Sequence, residues 1–464
     1  MPKQSVISIY NTLTDRKDIF VPQDSTDVTM YVCGPTVYDV PHIGNARSAV
    51  VYDVLYRLLR YHYPKVTYVR NITDVDDKII EVAQHSGESI SSLTSRITDC
   101  YHQDLSALNC LQPTIEPKAT EHIPEMIEMV ETLIRNNNAY CAEGHVLFDI
   151  SSYEHYGQLS KTTVQNMIAG ARIEVAPFKK NPCDFVLWKP SKAYEESVSF
   201  NSPWSRGRPG WHLECSAMSK KYLGETFDIH GGGSDLVFPH HENELAQSRC
   251  ATHGTFAQYF VHNGFLTVEG EKMSKSLGNF LTLRSVLNKG MEGAVLRYFF
   301  LTTHYRKPLN YTHKGIEDAK RSIAKFREAL KRVNVDKMSN EPMTLDLDFI
   351  ESLRDDINTP RAFALMHSFA NSAISGDDNS LKHLYMAMKL LGFDLVQTST
   401  HNEHSHIPTE VKTLADERLQ LRQSKQWTEA DLVRKKIAAL GYSIEDTETA
   451  YNLIRIENHD NTPK

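Results

Sequence analysis

The feature that most constrains the fold is the stretch over residues 31–45, YVCGPTVYDVPHIGN. An apolar strand ends at Cys33-Gly34-Pro35-Thr36, and after a short turn residues 41–45 open a helix predicted over 46–59. The first N–H groups of a helix lack internal partners and its dipole favours an anion, so this strand–glycine–helix sequence predicts a phosphate site. Cys33 adds a soft metal ligand to the same stretch.

Two apolar strands, predicted at 28–33 and 66–72, flank that helix and complete a strand–helix–strand unit. Such units build parallel sheets, whose ligands bind at the carboxyl ends of the strands. The acidic segment 73–78, TDVDDK, follows the second strand at that end. It fits either a Mg²⁺ or substrate site, or the N-cap of a helix predicted over 78–111.

Composition and cysteine usage narrow the class of protein. The 464 residues are 41% hydrophobic and 23% charged, which is ordinary for a globular chain of about three domains. No stretch approaches the ~18 apolar residues of a membrane span, and the N-terminus lacks the apolar region of a secretory signal. Seven scattered cysteines predict a reducing, cytoplasmic location. The net charge of −7 argues against a nucleic-acid coat protein but not against a nucleic-acid enzyme.

Changes in sequence pattern divide the chain into segments. Helical periodicity over 122–136 gives way to strand-like pieces at 145–150 and 184–189, which predicts an insertion into the sheet domain. After residue 202 strands, a glycine-rich loop at 231–233 and helices return, and the chain is predicted helical from Thr303 to about Leu391. We predict the first half of the sheet domain at 1–110, the insertion at 111–202, the second half at 203–305, a helical bundle at 306–394, a linker at 395–410 and a C-terminal module at 411–464.

Four residues from three separate parts of the sequence form a candidate metal site: Cys33, Cys215, His240 and Glu244. His240 and Glu244 are four positions apart, so on a helix they project from one face and can share a metal. Two sulfurs, one imidazole and one carboxylate suit tetrahedral Zn²⁺ better than Mg²⁺ or Ca²⁺. Two alternatives stay open: single cysteines are usually buried and inert, and His241 is a rival ligand.

A lysine- and serine-rich loop, Lys272-Met273-Ser274-Lys275-Ser276, follows a predicted strand. Ammonium groups in such a loop offset the charge that develops on a leaving polyphosphate. A lysine-serine loop alone is more often solvated surface. The phosphate-type turn at 31–45 favours the functional interpretation.

The motifs His42-Ile43-Gly44-Asn45 and 272–276 together resemble the HIGH and KMSKS signatures of class I aminoacyl-tRNA synthetases. Four further stretches resemble the cysteinyl-tRNA synthetase family within that class: YVCGPTVYD at 31–39, GWHLECSAM at 210–218, DIHGGGSDL at 228–236 and FPHHENE at 238–244. The resemblance extends from Asn11 to about Asp446.

The resemblance implies an α/β fold, in which a Rossmann-type parallel-sheet catalytic domain is split by the insertion. An α-helical bundle and a small C-terminal α+β module that binds the anticodon are expected to follow. The implied reaction activates L-cysteine with ATP to cysteinyl-adenylate and transfers it to tRNA(Cys), in a cytoplasmic monomer. One Zn²⁺ per chain is expected to bind the substrate thiol as a thiolate and thereby to select cysteine over serine.

The family pattern also implies site residues. The zinc ligands fall on Cys33, Cys215, His240 and Glu244, with His240 chosen over His241. ATP with Mg²⁺ is expected at His42, Asn45, Lys272 and Lys275. The cysteine pocket is expected at Thr73, Trp211 and His230, and tRNA contacts at Trp427 and Asp431.

Two positions depart from the family pattern. Asn45 replaces the usual last histidine of HIGH; an amide donates a hydrogen bond to phosphate but carries no positive charge. We therefore expect His42 and the two lysines of the 272–276 loop to supply more of the ATP stabilisation than they would with a histidine at position 45. The tail at 446–451, DTETAY, replaces the usual Gly/Thr/Trp-containing ending.

Two rival functions remain. A cysteine ligase of the mycothiol pathway resembles the catalytic half and joins cysteine to an amino-sugar. The helical region and the module at 411–464 favour tRNA, since the helix pair over 411–440 has seven basic and four acidic residues, although a solvated charged face would show the same pattern. The second rival is a non-enzymatic zinc- and tRNA-binding relative, which would not catalyse cysteine-dependent ATP–pyrophosphate exchange.

Overall fold

The computed structural model describes residues 6–163, 176–192, 198–252, 254–274, 278–335, 338, 342–396, 409–424, 426–446 and 451–455. The chain divides into two compact units, Met1–Leu395 and Val396–Lys464. Among the described helices, none combines the length and the apolar composition that a bilayer crossing requires.

The strands are given first, in chain order. They are β1 Ser8–Asn11, β2 Arg16–Ile19, β3 Val28–Val32, β4 Val66–Arg70, β5 Ala139–Ala142, β6 His145–Phe148, β7 Phe185–Pro190, β8 Gly207–Pro209, β9 Thr226–Gly233, β10 Phe256–Asn263, β11 Leu266–Val268, β12 Glu271–Lys272, β13 Leu309–Tyr311, β14 Tyr442–Asp446 and β15 Tyr451–Arg455.

The longer helices lie between these strands and after them. They are α1 Ile43–His62, α2 Asp77–Ser86, α3 Ile90–Ala107, α4 Ile123–Arg135, α5 Trp211–Leu223, α6 Glu242–Thr252, α7 Leu283–Leu287, α8 Gly293–Leu301, α9 His313–Leu330, α10 Leu347–Arg354, α11 Thr359–Ile374, α12 Asp378–Leu390, α13 Thr409–Gln423 and α14 Trp427–Ala439.

A parallel sheet in the order β10-β9-β3-β4 forms the centre of the first unit. Its register sets Tyr31 beside Val69 on one side and beside His230 on the other. Each of the five residues of β4 is buried, as expected of a strand covered on both faces. The predicted Rossmann-type parallel sheet is confirmed, and α1 extends the predicted helix at both ends.

The insertion contributes an antiparallel sheet of its own, in the order β5-β6-β7-β8. The strand β8 pairs with β7 although it lies beyond residue 202. Side chains of α4 and of this sheet share one hydrophobic cluster with residues of α5 and β9. The insertion is therefore packed directly against the central sheet.

The segment predicted as one helix over 78–111 is two helices. Gly87, with φ of +67°, ends α2 in the left-handed conformation, and Ser89 caps α3 through its side chain. Asp76 caps α2 by accepting from the N–H of Lys78 at 2.9 Å. Of the two interpretations of the acidic segment, the N-cap is the one that the fold shows.

Two other predictions were wrong. The run Gly231–Gly232–Gly233 is the end of β9 rather than a loop, because α1 lies against it: a Cβ on Gly231 would come within 2.4 Å of the Tyr52 ring. The chain after Thr303 is not helical throughout, since β13 pairs with β11 in a small sheet of order β12-β11-β13.

The second unit contains α13, α14 and the antiparallel pair β14-β15. Its core is a small cluster of apolar side chains from the helices and β14: Val411, Ala415, Val433, Ile437, Tyr442 and Ile444. Most of the predicted linker lies outside the described residues.

Candidate functional site

The end of β3 is held close to the end of β4. A Cβ on Gly34 would lie 1.6 Å from the carbonyl oxygen of Asn71, so only glycine fits there. The N–H of Gly34 donates to Oδ1 of Asn71 at 2.9 Å, and the N–H of Cys33 donates to the carbonyl of Gly231 at 3.1 Å. These bonds fix the position of Cys33 between β4 and β9.

Four predicted ligands converge at this place. Cys33 follows β3, Cys215 lies on α5, and His240 and Glu244 come from the turn before α6 and from α6 itself. The Sγ of Cys33 lies 3.6 Å from the Sγ of Cys215 and 3.5 Å from Oε1 of Glu244. Nε2 of His240 lies 3.1 Å from the same Oε1. All four ligand atoms lie within 4.8 Å of one another.

The donor set and its spacing fit Zn²⁺. Zinc–sulfur bonds of about 2.3 Å at a tetrahedral angle place two sulfurs about 3.8 Å apart, close to the separation of Cys33 and Cys215. Nε2 of His240 and Oε2 of Glu244 are buried, and although each lies 3.1 Å from a neighbouring polar atom, neither makes a well-aligned hydrogen bond within the described residues. Buried polar atoms are normally satisfied, and a cation between these groups would satisfy both.

The rival ligand His241 lies at the same place. Its Nε2 is 3.3 Å from the Sγ of Cys33, and together with His230 and Glu244 these residues form a second group within the same distance limit. Geometry therefore permits either histidine. Cys215 belongs only to the group that contains His240.

Three further polar side chains surround the two histidines. Nδ1 of His241 lies 2.8 Å from Nε2 of His262, whose Nδ1 lies 2.7 Å from the hydroxyl of Thr12. Nδ1 of His240 lies 2.9 Å from Nδ1 of His212. Sequence reasoning missed His212, His262 and Thr12, because no spacing relates them to the ligands.

Burial sets the protonation of the group. It raises the pKa of the Cys33 and Cys215 thiols and lowers the pKa of His240 and His241, because the charged forms lose their hydration. The neutral imidazole is the form that binds a metal. A bound cation would in turn stabilise the thiolates.

The three predicted pocket residues border this group. The ring of Trp211 lies 4.1 Å from that of His240, centroid to centroid, and 40% of Trp211 is exposed. Nε2 of His230 lies 3.1 Å from Oε2 of Glu244. The hydroxyl of Thr73 donates to Glu214 at 2.7 Å, one residue before Cys215. Trp211 and His230 thus contact the candidate ligands directly, whereas Thr73 is connected to them through Glu214, the neighbour of Cys215.

His42 caps the start of α1. Its Nδ1 accepts from the N–H groups of Gly44 and Asn45 at 3.1 and 3.2 Å, and Oδ1 of Asn45 accepts from the N–H of His42 at 3.2 Å. Two of the N–H groups expected to be free for phosphate are thus satisfied by His42. A ring nitrogen that accepts carries no proton, and burial lowers the pKa of His42, so the neutral ring carries its proton on Nε2.

The lysine-serine loop lies beside this helix start. A Cβ on Gly44 would lie 3.4 Å from the methyl group of Met273, and the ring of Phe280 lies 5.6 Å from that of His42. Lys272, at the end of β12, is exposed. Lys275 lies outside the described residues.

The two predicted tRNA-contacting residues lie on α14 of the second unit. Trp427 is 55% exposed, and the guanidinium of Arg422 lies 5.4 Å from its ring centroid. Asp431 is also exposed. Both side chains are accessible to a partner within this unit.

The fold and the site define a class I aminoacyl-tRNA synthetase: residues 19–321 match the family model described as "tRNA synthetases class I (C) catalytic domain". Two solved structures share the fold. A Mycobacterium tuberculosis methionyl-tRNA synthetase in complex with methionyl-adenylate aligns with a TM-score of 0.55 and 15% identity over 79% of this chain and 89% of its own. The LeuRS of Agrobacterium radiobacter K84, in a ternary complex with tRNA, aligns with a TM-score of 0.55 and 12% identity over 80% and 83%.

Curated relatives narrow the class to one family. A cysteine--tRNA ligase of Rickettsia bellii is 47% identical over 460 residues, which cover 97% of this chain and 100% of the relative. A cysteine--tRNA ligase of Paramagnetospirillum magneticum is 50% identical over 449 residues, 94% and 97% of the two chains. The chain belongs to the cysteine--tRNA ligase family, as the sequence motifs predicted.

Proposed function

We propose that the chain activates L-cysteine with ATP to cysteinyl-adenylate and transfers the cysteinyl group to tRNA(Cys). One observation carries the proposal: Cys33, Cys215, His240 and Glu244 converge at the carboxyl end of β3, at the sheet edge from which the chain enters α1. A metal site of soft ligands and a phosphate site lie at the same edge of the sheet. They suit a substrate whose thiol binds the metal while its carboxylate reacts with a nucleotide phosphate.

We assign zinc to Cys33, Cys215, His240 and Glu244. Bound there, Zn²⁺ favours a thiolate over a hydroxyl, which supplies the discrimination of cysteine from serine that packing alone provides only weakly. Four protein ligands otherwise make a closed, structural site, so binding of the substrate thiol would require either that Glu244 leaves the metal or that the metal accepts a fifth ligand.

The remainder of the pocket is assigned to Thr73, Trp211 and His230. The Trp211 ring covers His240 and, being 40% exposed, forms a wall that substrate reaches from solvent. Thr73 and His230 are buried against Glu214 and Glu244 respectively. These side chains orient the amino acid and exclude water from its thiol.

The reaction needs no covalent protein nucleophile. A carboxylate oxygen of cysteine attacks the α-phosphorus, the bond from that phosphorus to the bridging oxygen breaks, and pyrophosphate leaves with the electron pair. Catalysis is then positioning and charge stabilisation. The Nε2–H of His42 and the amide of Asn45 donate to phosphate oxygens, and Lys272 and Lys275 offset the charge on pyrophosphate, a charge that Mg²⁺ bound with ATP would also reduce.

The segments receive roles accordingly. Residues 1–110 and 203–305 form the catalytic domain, 111–202 the connective insertion, and 306–394 the helical bundle. The module at 411–464, joined by the linker at 395–410, binds the anticodon through Trp427 and Asp431. The chain works as a cytoplasmic monomer.

The test is cysteine-dependent ATP–pyrophosphate exchange together with capture of labelled cysteine by tRNA. We expect exchange with cysteine, little with serine, and capture that depends on tRNA(Cys) but not on an amino-sugar. Exchange with capture by the amino-sugar alone would identify the mycothiol-type ligase instead. Absence of exchange with zinc-loaded protein would contradict the proposal as a whole.

A further inference from the structure

Arg47 is a buried cation without a carboxylate partner. It lies on α1, two residues after Asn45, and its side chain is inaccessible to solvent. No carboxylate of the described residues lies within ion-pair distance, whereas the equally buried Arg297 pairs with Asp53. Burial lowers the pKa of Arg47 to about 10. A buried unpaired guanidinium is costly, so its contacts require an explanation.

The guanidinium of Arg47 binds backbone carbonyls from two turns. Nη1 donates to Gly264 at 2.7 Å and to Phe265 at 2.9 Å. Nη2 donates to Lys307 at 2.7 Å and to Tyr305 at 3.4 Å. The fork of one arginine thereby joins the turn after β10 to the segment before β13.

These turns are the starting points of the small sheet that carries Lys272. Phe265 immediately precedes β11, and Lys307 lies two residues before β13, which pairs with β11 in parallel. β12, which ends in Lys272, pairs with β11, setting Lys272 opposite Thr267. Arg47, β11 and β12 therefore connect α1 to Lys272, so the position of Lys272 relative to α1 depends on the contacts of Arg47.

The chain that follows the lysine-serine loop, at residues 281–283, is attached to the same helix start. The N–H of Ile43 donates to the carbonyl of Leu281 at 3.0 Å, and the N–H of Leu283 donates to the carbonyl of Pro41 at 2.9 Å. The segment after the loop is thus held directly at the start of α1, and the strands before it are joined to α1 through Arg47.

The segment that Arg47 binds is held from its opposite side by Asp356, which follows α10. The carboxylate of Asp356 accepts from the Tyr305 hydroxyl at 2.7 Å, from Nε of Arg306 at 2.8 Å and from the N–H of Tyr10 at 2.9 Å. The backbone of Asp356 is in the left-handed region, with φ of +60°. The segment over residues 305–307 is therefore held from two sides, by Arg47 and by Asp356.

We propose that Arg47 is a positioning residue for adenylate formation: its four carbonyl contacts set the place of Lys272 relative to the phosphate-binding start of α1. The inference rests on the proposed role of Lys272. Arg47 does not contact substrate in this proposal, so a substitution of Arg47 should affect only the step in which Lys272 acts. Cysteine binding and metal content do not depend on it.

The test is a double-mutant cycle with Lys272, measured as the turnover of cysteine-dependent ATP–pyrophosphate exchange. Lys reaches fewer of the four carbonyls than Arg, so Arg47→Lys should lower turnover about 10- to 100-fold, as expected of a displacement near 1 Å. The KM for cysteine and the zinc content should stay within about twofold. In a Lys272→Ala background the same change should lower turnover less than about threefold, because the group it positions is gone.

Arg297→Lys is the matched control, because Arg297 is equally buried and also donates to backbone carbonyls, at Leu391 and Leu108. Its effect should be equal in both backgrounds. An effect of Arg47→Lys that is equal in both backgrounds would overturn the inference. If Lys272→Ala alone leaves turnover unchanged, the role proposed for Lys272 fails first.

A second variant keeps the test decisive if Arg47→Lys does not fold. Tyr305→Phe removes the hydroxyl that binds Asp356 and so loosens the same segment from the other side. It should show a smaller loss of turnover with the same dependence on Lys272. Equal effects with and without Lys272 would again overturn the inference.

Discussion

The Sγ atoms of Cys33 and Cys215 lie 3.6 Å apart, although 182 positions separate the two residues in the chain. One follows β3 in the first half of the split domain, and the other lies on α5 beyond the insertion. The first half supplies one of the four candidate ligands and the second half supplies the other three. A correctly formed site therefore requires both halves to be folded against each other.

Cys215→Ser should abolish zinc binding and cysteine activation together, because a serine hydroxyl stays protonated where a thiol is deprotonated by a metal. Metal content and cysteine-dependent exchange measure the two effects. Cys250→Ser is the control, since Cys250 is also a buried cysteine but lies outside the candidate metal groups. Normal activation by zinc-free Cys215→Ser protein would refute the assigned role of the metal.

Substitution of each histidine separately should decide which of them binds the metal. We expect His240→Gln to weaken zinc binding most, because Nε2 of His240 makes no hydrogen bond within the described residues and belongs to the group that contains both cysteines. His241→Gln should weaken it only about 10- to 100-fold, as for a residue that acts on the ligands from outside. Competition with a chromophoric chelator gives both affinities. The reverse order would make the metal group Cys33, His230, His241 and Glu244.

His42 should have separable effects on stability and on catalysis. His42→Ala removes the cap of α1, at a cost of about 1 kcal/mol, and the Nε2–H donor, with a loss of about 10²–10³ in exchange turnover. His42→Ser should recover the stability, since serine is a good N-cap, but not the turnover. Thermal unfolding and exchange assays distinguish the two.

The neutral form of His42 has a consequence for pH. Because burial lowers the pKa of His42, the ring is uncharged at neutral pH and no catalytic proton is lost from it on further alkalinisation. Exchange turnover should therefore not fall between pH 6.5 and 8 through this residue. A decline in the wild type that is absent from His42→Ser would show that the charged ring is needed.

Trp427→Ala should weaken tRNA binding and leave cysteine-dependent exchange unchanged. Loss of one base stacking on an aromatic ring costs about 1–3 kcal/mol, or about 5- to 150-fold in affinity. Leu432→Ala is the matched control, because Leu432 is an equally exposed apolar residue on the same helix. Equal affinities of the two variants would remove Trp427 from the tRNA-binding surface.

Asp104 should give the first unit a measurable dependence of stability on pH. The carboxyl is buried 2.8 Å from the guanidinium of Arg284, and burial raises its pKa to about 6. Between pH 4 and 6 the folded state therefore holds a proton that the unfolded state has lost, so stability falls as pH rises through that range. The contribution is about 2–3 kcal/mol.

Asp104→Asn should remove this dependence. Because the other groups titrate in both proteins, the difference in unfolding free energy between variant and wild type should shift in favour of the variant as pH rises from 4 and level off near pH 7. Thermal unfolding monitored across pH 4–7 measures it. A difference that does not change with pH would contradict the raised pKa.

Patterns of apolar and polar residues along the chain predicted the elements that depend mainly on neighbouring residues. The apolar runs gave β3 and β4, and helical spacing placed His240 and Glu244 on one face. The glycines 231–233 were assigned to a loop because glycine is rare in strands, whereas Tyr52 of α1 requires glycine at 231. That requirement depends on a contact between residues about 180 positions apart, which spacing along the chain does not record.

The same limit applies to the site. Cys33 and Cys215 were proposed as ligands from donor chemistry, and the family motifs chose His240. His262 and Arg47 were missed because each acts through contacts with distant turns or side chains. In the sequence, Arg47 is a charged residue among the apolar positions of α1. A solvated arginine at the edge of that helix face would give the same pattern.

The separation of the ligands also has a consequence for synthesis of the chain. Glu244 follows Cys33 by 211 positions, which at bacterial and eukaryotic rates of translation takes about 10 to 40 seconds. During that interval the nascent chain presents the thiol of Cys33 without the rest of its site. The four candidate metal ligands are thus brought together only late in synthesis, and until then the Cys33 thiol lacks the groups that surround it in the folded protein.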